Sequence, residues 1–171
     1  RNCDWSSDVC SSDLHAIFGI DPYDRGTIRV DGRPLAANDI GAALAAGIAL
    51  VPEDRQHQGL VLPMTIGENL TMAILPELTR LGWLLDRRAE TARVTEQIEK
   101  LTVKTDDHRL PADSLSGGNQ QKVVLGKWLA RQPALLILDE PTRGVDVGAK
   151  AEIHRLIRAL TAQGMATLVI S

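Results

Sequence analysis

The sequence predicts an α/β fold in which a parallel sheet is covered by helices on both faces. Three runs of strand length, at Ile48–Val51, 134–138 and 166–170, are apolar at every position except Thr167. A stretch of helical period, 147–162, separates the second run from the third. Uninterrupted apolar strands are typical of parallel sheets buried on both faces, and the order strand, helix, strand is typical of parallel pairing.

The composition fits such a domain and excludes several classes of protein. Of the 171 residues, 44% are hydrophobic and 24% are charged, as in ordinary globular domains. No stretch approaches the roughly 20 apolar residues that a membrane-spanning helix needs, so a membrane connection would run through a partner. A net charge of −3 gives no basic surface for nucleic acid, and an aromatic content of 3% disfavours a sugar-binding groove or a stacking platform.

The first fourteen residues differ in composition from the rest of the chain. They hold both cysteines, Cys3 and Cys10, and a run of serine and aspartate. Residues 4–14, DWSSDVCSSDL, resemble the translation of a sequencing-library adapter, so we expect residues 1–14 to lie outside the natural fold. The alternative is a genuine arm or a metal pair, although two cysteines without a second pair nearby form a poor zinc pattern.

The turn residues place the elements of the first third. Residues 27–30 alternate in polarity and precede an Asp-Gly pair, which predicts a hairpin that returns over 33–35. Asn38 or Asp39 is expected to cap a short helix that ends at Gly47. The apolar run that follows is then a buried strand, ended by a proline.

The middle of the chain has a helical character. Residues 66–81 form a leucine-rich helical pattern that is interrupted at Pro76. Asp86 is expected to open a longer helix, and a further helix is predicted over 119–131. The apolar face of the helix after Asp86 is formed by three residues: Val94, Ile98 and Leu101.

Two acidic residues follow the apolar run 134–138. In a parallel α/β sheet, ligands lie beyond the carboxyl ends of the strands, so Asp139 and Glu140 are expected at that place. Asp139 can hold Mg²⁺ through its water shell, and Glu140 can polarise a water for attack on a γ-phosphate. The alternative is that both residues cap the turn 141–144. Arg143 in this turn is expected to be an ion-pair partner within the chain rather than a contact to a second protein surface.

A glycine-rich helix start precedes this acidic pair. We call Ser116–Gly118 the glycine turn. Two glycines at a helix start leave backbone N–H groups free to face an anion, and the helix dipole favours negative charge there. Ser116 adds a hydroxyl donor. A flexible turn with a serine N-cap is the alternative for these three residues taken in isolation.

The two motifs together resemble a known family. LSGGNQQK at Leu115–Lys122 is similar to the signature motif of ATP-binding cassette ATPases, and LLILDEPTRGVD at Leu135–Asp146 resembles their Walker B strand and D-loop. Two further stretches, VPEDRQHQGLVLPMTIGENL and TRGVDVGAK, resemble the second nucleotide-binding domain of tandem-cassette ATPases. Those ATPases energise bacterial importers of monosaccharides such as ribose, galactose and xylose. The resemblance extends from Ala16 to Ser171.

The resemblance implies roles for individual residues. Asp139 would bind Mg²⁺, and Glu140 would orient the hydrolytic water. The glycine turn would grip the γ-phosphate of an ATP that is otherwise held by the opposing cassette. Glu53 stands where most cassettes have the glutamine of the Q-loop, which leaves its role toward water or metal open. The implied nucleotide contacts are Ser116, Gly117, Gly118, Gln120, Asp146 and Glu53.

The resemblance also implies an architecture. The fold would be a P-loop NTPase-like parallel-sheet core with a helical subdomain, incomplete at both ends. Residues 15–63 would form part of the core, and residues 64–114 the helical subdomain that docks onto a permease. Residues 115–171 would hold the signature helix, the Walker B strand, the D-loop and the helix and strand that follow.

The implied partners are those of an importer subunit. They are ATP, the transmembrane permease subunits, the opposing nucleotide-binding domain of the same full-length chain and, indirectly, a periplasmic sugar-binding protein. Nucleic acid is not expected. The implied location is the cytoplasmic face of the bacterial inner membrane, with the protein bound peripherally.

No GxxxxGK[ST] phosphate loop occurs in the sequence, because the Gly126-Lys127 pair is followed by Trp128. Without that loop, Asp139 and Glu140 would repel a triphosphate, so we expect the chain alone to be inactive although its parent hydrolyses ATP. Two alternatives are a cassette ATPase without transport, such as a DNA-repair or translation factor, and a non-catalytic cassette that completes a partner's site. The near-neutral charge weighs against the first alternative. The presence of Glu140 weighs against the second, because a fully non-catalytic cassette would not need the residue that orients the water.

Overall fold

The computed structural model describes residues 11–81 and 83–171. The α-helices in these ranges are α1 (Ser11–Phe18), α2 (Ile40–Ala45), α3 (Ile66–Thr71), α4 (Arg87–Leu101), α5 (Gly117–Leu129) and α6 (Val147–Ala162). The strands are β1 (Arg29–Val30), β2 (Arg33–Pro34), β3 (Ile48–Val51), β4 (Thr79–Arg80), β5 (Leu84–Leu85), β6 (Leu135–Asp139) and β7 (Ala166–Ile170). A π-helical turn spans Arg55–Gly59, and 3₁₀ turns span Met72–Leu78 and Ala112–Ser114.

The central sheet consists of three parallel strands in the order β3–β6–β7. Its register pairs Val51 with Leu138 and Asp139 with Ile170. The carboxyl ends of the strands therefore lie at one edge, where the segment after β3 faces the turn after β6. The prediction of a parallel sheet is confirmed, and β6 lies one residue further along the chain than the predicted run 134–138.

Both faces of this sheet are covered, as the sequence predicts. Neighbouring residues of a strand point to opposite faces, so each strand contributes to two separate apolar clusters. One cluster packs under α1 and α2 and includes Ile48, Leu50 and Ile137. The other packs under α5 and α6 and includes Leu136 and Leu138.

Helix α5 is buried along most of its length and contacts β3, α3, α4 and α6. Two of its buried lysines, Lys122 and Lys127, have partners on neighbouring segments. Lys122 forms an ion pair of 2.7 Å with Glu152 on α6 and donates to the Thr102 carbonyl at 2.9 Å. Lys127 donates to the Gly59 carbonyl at 2.5 Å, at the end of the π-helical turn. The helix thus joins several segments of the chain.

Most predicted elements are confirmed. The β1–β2 pair forms the predicted antiparallel hairpin. Asp39 caps α2 by accepting from the Ala42 N–H at 2.9 Å, and Asp86 caps α4 through the N–H groups of the first helical turn. Helix α6 has the predicted bounds, whereas α5 begins two residues before the predicted start at Asn119.

The prediction of a helical pattern through residue 81 is wrong at its end. Strands β4 and β5 form a short antiparallel pair there, with Thr79 opposite Leu85. The Asp86 N–H donates to the Leu78 carbonyl at 2.8 Å, which closes this hairpin directly before α4. Leu81 takes a left-handed backbone conformation, with a φ of 55°. Because each strand has two residues, no alternation of polarity marks them in the sequence.

Part of the N-terminal segment that the sequence sets apart lies within the described residues. Residues 11–14 form the first turn of α1, and the Leu14 side chain is completely buried. Cys3 and Cys10 lie outside the described residues, so the expectations about them stay predictions. The same holds for the assignment of residues 1–14 to an adapter. In the described part of the chain, no helix is both long and apolar enough to span a membrane.

We expect the free energy of unfolding to rise as the pH increases from about 8 to 10.5, because burial lowers the pKa of Lys127 to about 8. Below this range both states carry the lysine proton. Within it the unfolded state binds more protons, so the folded state gains stability as the pH rises. Unfolding by urea at about pH 7.5 and about pH 10 should show a gain on the order of 1–2 kcal/mol that Lys127→Met lacks.

The matched control for this experiment is Lys100→Met, because Lys100 is an exposed lysine in the last turn of α4. This variant should keep the gain in stability between the two pH values. An equal gain in Lys127→Met and in the unsubstituted protein would show that another group causes the dependence on pH.

Candidate functional site

A cleft of about 390 Å³ opens at the carboxyl edge of the sheet, and we call it the acidic cleft. The parallel register builds it, because it places the segment after β3 beside the turn after β6. The residues lining it include Glu53, Arg55, Asp139, Arg143 and Ser11. Two of the predicted site residues, Glu53 and Asp139, are therefore brought together.

Asp139 is the buried acid of this cleft. It is 1% exposed, and one of its carboxylate oxygens accepts a hydrogen bond of 3.0 Å from the Ser11 hydroxyl. A nearby cation would offset the cost of burying a carboxylate. Among the described residues, no group of three or more His, Cys, Asp or Glu side chains is placed to hold a metal ion. Any metal at Asp139 would thus need further ligands from substrate or water.

Glu53 forms an ion pair with Arg143 across the acidic cleft. The side chain of Glu53 is 31% exposed and that of Arg143 is 65% exposed, so solvent screens much of the attraction. The expectation that Arg143 has an ion-pair partner within the chain is confirmed. The pair links the segment after β3 to the turn after β6.

Glu140 takes a left-handed backbone conformation, with φ of 45°. Its N–H donates to the Ile170 carbonyl, and its carbonyl accepts from the Arg143 N–H, each at 2.9 Å. Such backbone conformations cost about 1–3 kcal/mol in residues other than glycine and are concentrated at functional turns. Although it directly follows Asp139, Glu140 is not among the residues that line the acidic cleft.

A second cleft, of about 220 Å³, opens at the start of α5, and we call it the glycine cleft. Its lining includes Ser116, Gly118, Asn119, Asp146 and Lys104. The Asn119 amide donates to the Ser116 hydroxyl oxygen at 2.9 Å and accepts from the Lys104 N–H at 2.9 Å. Because the Ser116 oxygen accepts in this contact, its own hydrogen is available to an external acceptor.

The two glycines of the glycine turn are also required by packing inside the protein. A Cβ atom on Gly117 would lie 2.8 Å from the Arg55 guanidinium, and one on Gly118 would lie 2.5 Å from the Cβ atom of Ala149. Sequence reasoning explained these glycines by free amides alone. Their second role could not be predicted because Arg55 and Ala149 are distant in sequence.

The remaining predicted site residues have different surroundings. Asp146 caps α6 by accepting from the Ala149 N–H at 2.8 Å, and it also lines the glycine cleft. Gln120 is 5% exposed, with its amide nitrogen 3.4 Å from the Ala112 carbonyl oxygen. Its amide oxygen accepts from Arg55 at 3.4 Å. Gln120 thus faces the interior and lines neither of the two clefts.

The acidic cleft and the glycine cleft share no lining residue. Arg55 lines the acidic cleft and also contacts the helix that begins at the glycine turn. Sequence reasoning missed Arg55, which contacts Gln120 of α5, and Asn119, which contacts Ser116. Asn119 lies within the glycine-rich motif, which is the one sequence signal that could have identified it.

The model of the ABC transporter family matches residues 10–143, which is more than half of the chain. The chain belongs to the ABC transporter family. It is 53% identical over 156 residues to the ribose import ATP-binding protein RbsA 2 of Streptomyces avermitilis, covering 91% of the cassette described here and 31% of that relative. It is 49% identical over 158 residues to the ribose import ATP-binding protein RbsA of Geobacillus kaustophilus. That match covers 92% of this chain and 32% of the relative. The cassette thus spans about a third of the length of these curated relatives.

Solved structures of ATP-binding cassettes share the fold of this ABC transporter family member. The ATP-binding cassette MJ1267 of an ABC transporter has a TM-score of 0.78 and 24% identity, with 94% of this chain and 65% of that chain covered. The cassette MJ0796, bound to ADP and Pi in a dimeric post-hydrolysis state, has a TM-score of 0.72 and 22% identity. That match covers 93% of this chain and 67% of the MJ0796 chain. At these identities, the comparisons establish the fold of the cassette.

We expect Gly118→Ala to destabilise the protein by about 1–3 kcal/mol, because the added methyl group would collide with Ala149 on α6. Ala149→Gly removes the opposing methyl group and, by helix propensity alone, should cost up to about 1 kcal/mol. The double variant should regain stability, with a coupling energy of about 1 kcal/mol or more between the two positions. Urea unfolding of the four proteins measures this cycle, and additive losses would contradict the contact.

Proposed function

We propose that this chain is part of the ATP-binding subunit of a bacterial monosaccharide importer of the ribose type. The observation that carries the proposal is the separation of the acidic cleft from the glycine cleft, which share no lining residue. This arrangement suits a protein that binds each nucleotide between its own acidic cleft and the glycine turn of a second cassette. The relatives' names, ribose import ATP-binding proteins, support the class of sugar.

The acidic cleft would take Mg²⁺ and the phosphates of ATP. Asp139 would hold the ion, because carboxylate oxygens are ligands that Mg²⁺ prefers and this carboxylate is buried at the cleft. When bound, Mg²⁺ offsets the negative charge of the terminal phosphates. Glu53, held by Arg143, would lie at the rim of the same cleft and contact water or the metal's water shell.

Glu140 would orient the water that attacks the γ-phosphate. Its position directly after Asp139 places it beside the proposed metal ligand, and its partly exposed side chain can reach solvent. The hydrogen bonds of its main chain to Ile170 and Arg143 hold the turn on which the carboxylate sits. A carboxylate that accepts a proton from water in the transition state raises the rate of such reactions by about 10²–10⁴-fold.

The glycine turn would act on a nucleotide bound to the opposing cassette. The amides at the start of α5 would face its γ-phosphate, as anions favour helix N-termini. The Ser116 hydroxyl would donate to the phosphate, since Asn119 occupies its oxygen. Asp146, on the rim of the glycine cleft, would lie at the crossing between the cassettes. The buried Gln120 would contribute by holding the start of α5 rather than by direct contact.

The proposed partners follow from this function. They are ATP, the permease subunits, the opposing cassette of the full-length chain and, through the permease, a periplasmic sugar-binding protein. The proposed location is the cytoplasmic face of the bacterial inner membrane. The formal charge of −3 supports these partners over nucleic acid.

A second candidate function is that of a non-catalytic cassette that completes its partner's site. The position of Glu140 outside the lining of the acidic cleft favours this candidate. In this case the glycine turn would carry the function, and Glu140 would support the turn after β6. The two candidates differ in whether ATP turnover depends on Glu140.

We expect the purified 171-residue chain to release no phosphate from ATP above the background without protein. The sequence holds no GxxxxGK[ST] loop, so no set of amides and no lysine would neutralise the β- and γ-phosphates beside Asp139. A phosphate-release assay with Mg²⁺ and ATP measures this. Turnover that disappears in Glu140→Gln would refute the expectation.

We expect a chimera to restore turnover when residues 16–171 replace the matching stretch of the Streptomyces avermitilis relative, which supplies its own upstream segment. In this chimera, Glu140→Gln should lower kcat by about a hundredfold with little change in ATP affinity, because the water would lose its base. Two measurements check this: phosphate release by the chimera, and ribose uptake by a strain that lacks its own importer subunit and carries the chimera.

The control for the chimera is Glu77→Gln, because Glu77 is an exposed glutamate on a 3₁₀ turn outside both clefts. This variant should keep turnover and uptake. Retained turnover in Glu140→Gln, together with loss of uptake in Ser116→Arg, would establish the second candidate instead. If every variant keeps both ATP turnover and ribose uptake, both candidate functions are contradicted.

A further inference from the structure

Arg55 connects three segments of the protein through one side chain. Its Nη1 donates to the Arg143 carbonyl at 2.8 Å and its Nη2 to the Gly144 carbonyl at 3.2 Å. Its Nε donates to the Gln120 amide oxygen at 3.4 Å. The half-buried guanidinium therefore links the π-helical turn to the turn after β6 and to the start of α5.

Gly117 leaves space for this guanidinium, and Gly144 lies against it in a backbone conformation that favours glycine. A Cβ atom on Gly117 would lie 2.8 Å from Arg55 Nη2, and one on Gly144 would lie 3.4 Å from Nη1. Gly144 also has a φ of 65°, which L side chains rarely adopt. The guanidinium thus lies between a glycine of the glycine turn and a glycine of the turn after Glu140.

The π-helical turn that carries Arg55 is attached to α5 at its other end as well. Lys127 donates to the Gly59 carbonyl, and a Cβ atom on Gly59 would lie 2.9 Å from Val124. The turn is therefore held against α5 at its first and last residues. Its contacts therefore involve both the start of α5, through Gln120, and the second half of α5, through Val124 and Lys127.

The same turn follows directly on the segment that lines the acidic cleft. Glu53 lies two residues before Arg55 and pairs with Arg143, whose carbonyl accepts from Arg55. The side chain and the carbonyl of Arg143 are thus held by two residues of one segment. Glu53, Arg55 and Arg143 all line the acidic cleft, and Arg55 extends from it to Gln120 in α5.

We propose that Arg55 is a positioning residue that fixes the turn after Glu140 relative to the glycine turn, an inference that rests on the function proposed above for the two clefts. Arginine suits this role because its N–H donors form a planar fork with fixed directions. A lysine ammonium at this position could not reach these three acceptors on two segments in the same geometry. Arg55 does not touch a reacting atom in this assignment.

The test uses amide hydrogen exchange in the 171-residue chain, which needs no nucleotide. Arg55→Ala should speed exchange about tenfold in both 117–122 and 143–149, because each loses a charged hydrogen-bond partner. Exchange in α4 should stay unchanged. The control is Arg93→Ala, since Arg93 pairs with Glu96 on the exposed face of α4 at 3.0 Å; this variant should leave both regions as they are.

Chemical rescue separates positioning from general stabilisation. Methylguanidinium at about 10 mM should bind between Gly117 and Gly144 in Arg55→Ala and restore slow exchange in both regions, whereas methylammonium should not. If Arg55→Ala does not fold, Arg55→Lys serves instead, and the same two regions should exchange faster while α4 does not.

Three results would overturn the proposal. They are unchanged exchange in both regions, equal acceleration across the whole chain including α4, and rescue by methylammonium to the same extent as by methylguanidinium. An inactive chimera would refute the proposed function and leave these exchange measurements intact, so the two failures can be told apart.

Discussion

The burial of α5 is the constraint on which the rest of this structure depends. A helix without a free face must place its polar side chains against partners in neighbouring segments, because an unpaired buried polar group is costly. Lys122 meets Glu152 on α6, Lys127 meets the Gly59 carbonyl, and Gln120 meets Arg55. These contacts attach α6 and both ends of the π-helical turn to the same helix. The helix therefore sets where the two clefts lie relative to each other.

The start of α5 has an inner and an outer side with separate requirements. On the inner side, Gly117 and Gly118 make room for Arg55 and for Ala149. On the outer side, Ser116 is exposed, and its hydroxyl oxygen is occupied by Asn119. A single short motif thus serves packing and ligand binding together. Substitutions at its glycines would affect stability as well as any contact with a phosphate.

The elements that the sequence predicts well are those with local signals. The strands of the central sheet are mostly apolar runs, and α2, α4 and α6 follow aspartates that cap them. The β4–β5 hairpin has no comparable signal, since its strands have two residues each and lie in a leucine-rich stretch. The bonds from Arg55 to Arg143 and Gly144 span 88 and 89 residues, a separation at which no local pattern operates.

The sequence by itself determined the fold class, the places of the glycine turn and the acidic pair, and the family to which the chain belongs. These follow from short-range patterns of apolar, glycine and acidic residues, which are complete within a few turns or one strand. Only the tertiary structure decided that Gln120 faces the interior, that Arg143 pairs with Glu53, and that the two motifs open into separate clefts. The reason is that strand register and helix packing decide these relations, and both depend on contacts between segments distant in sequence.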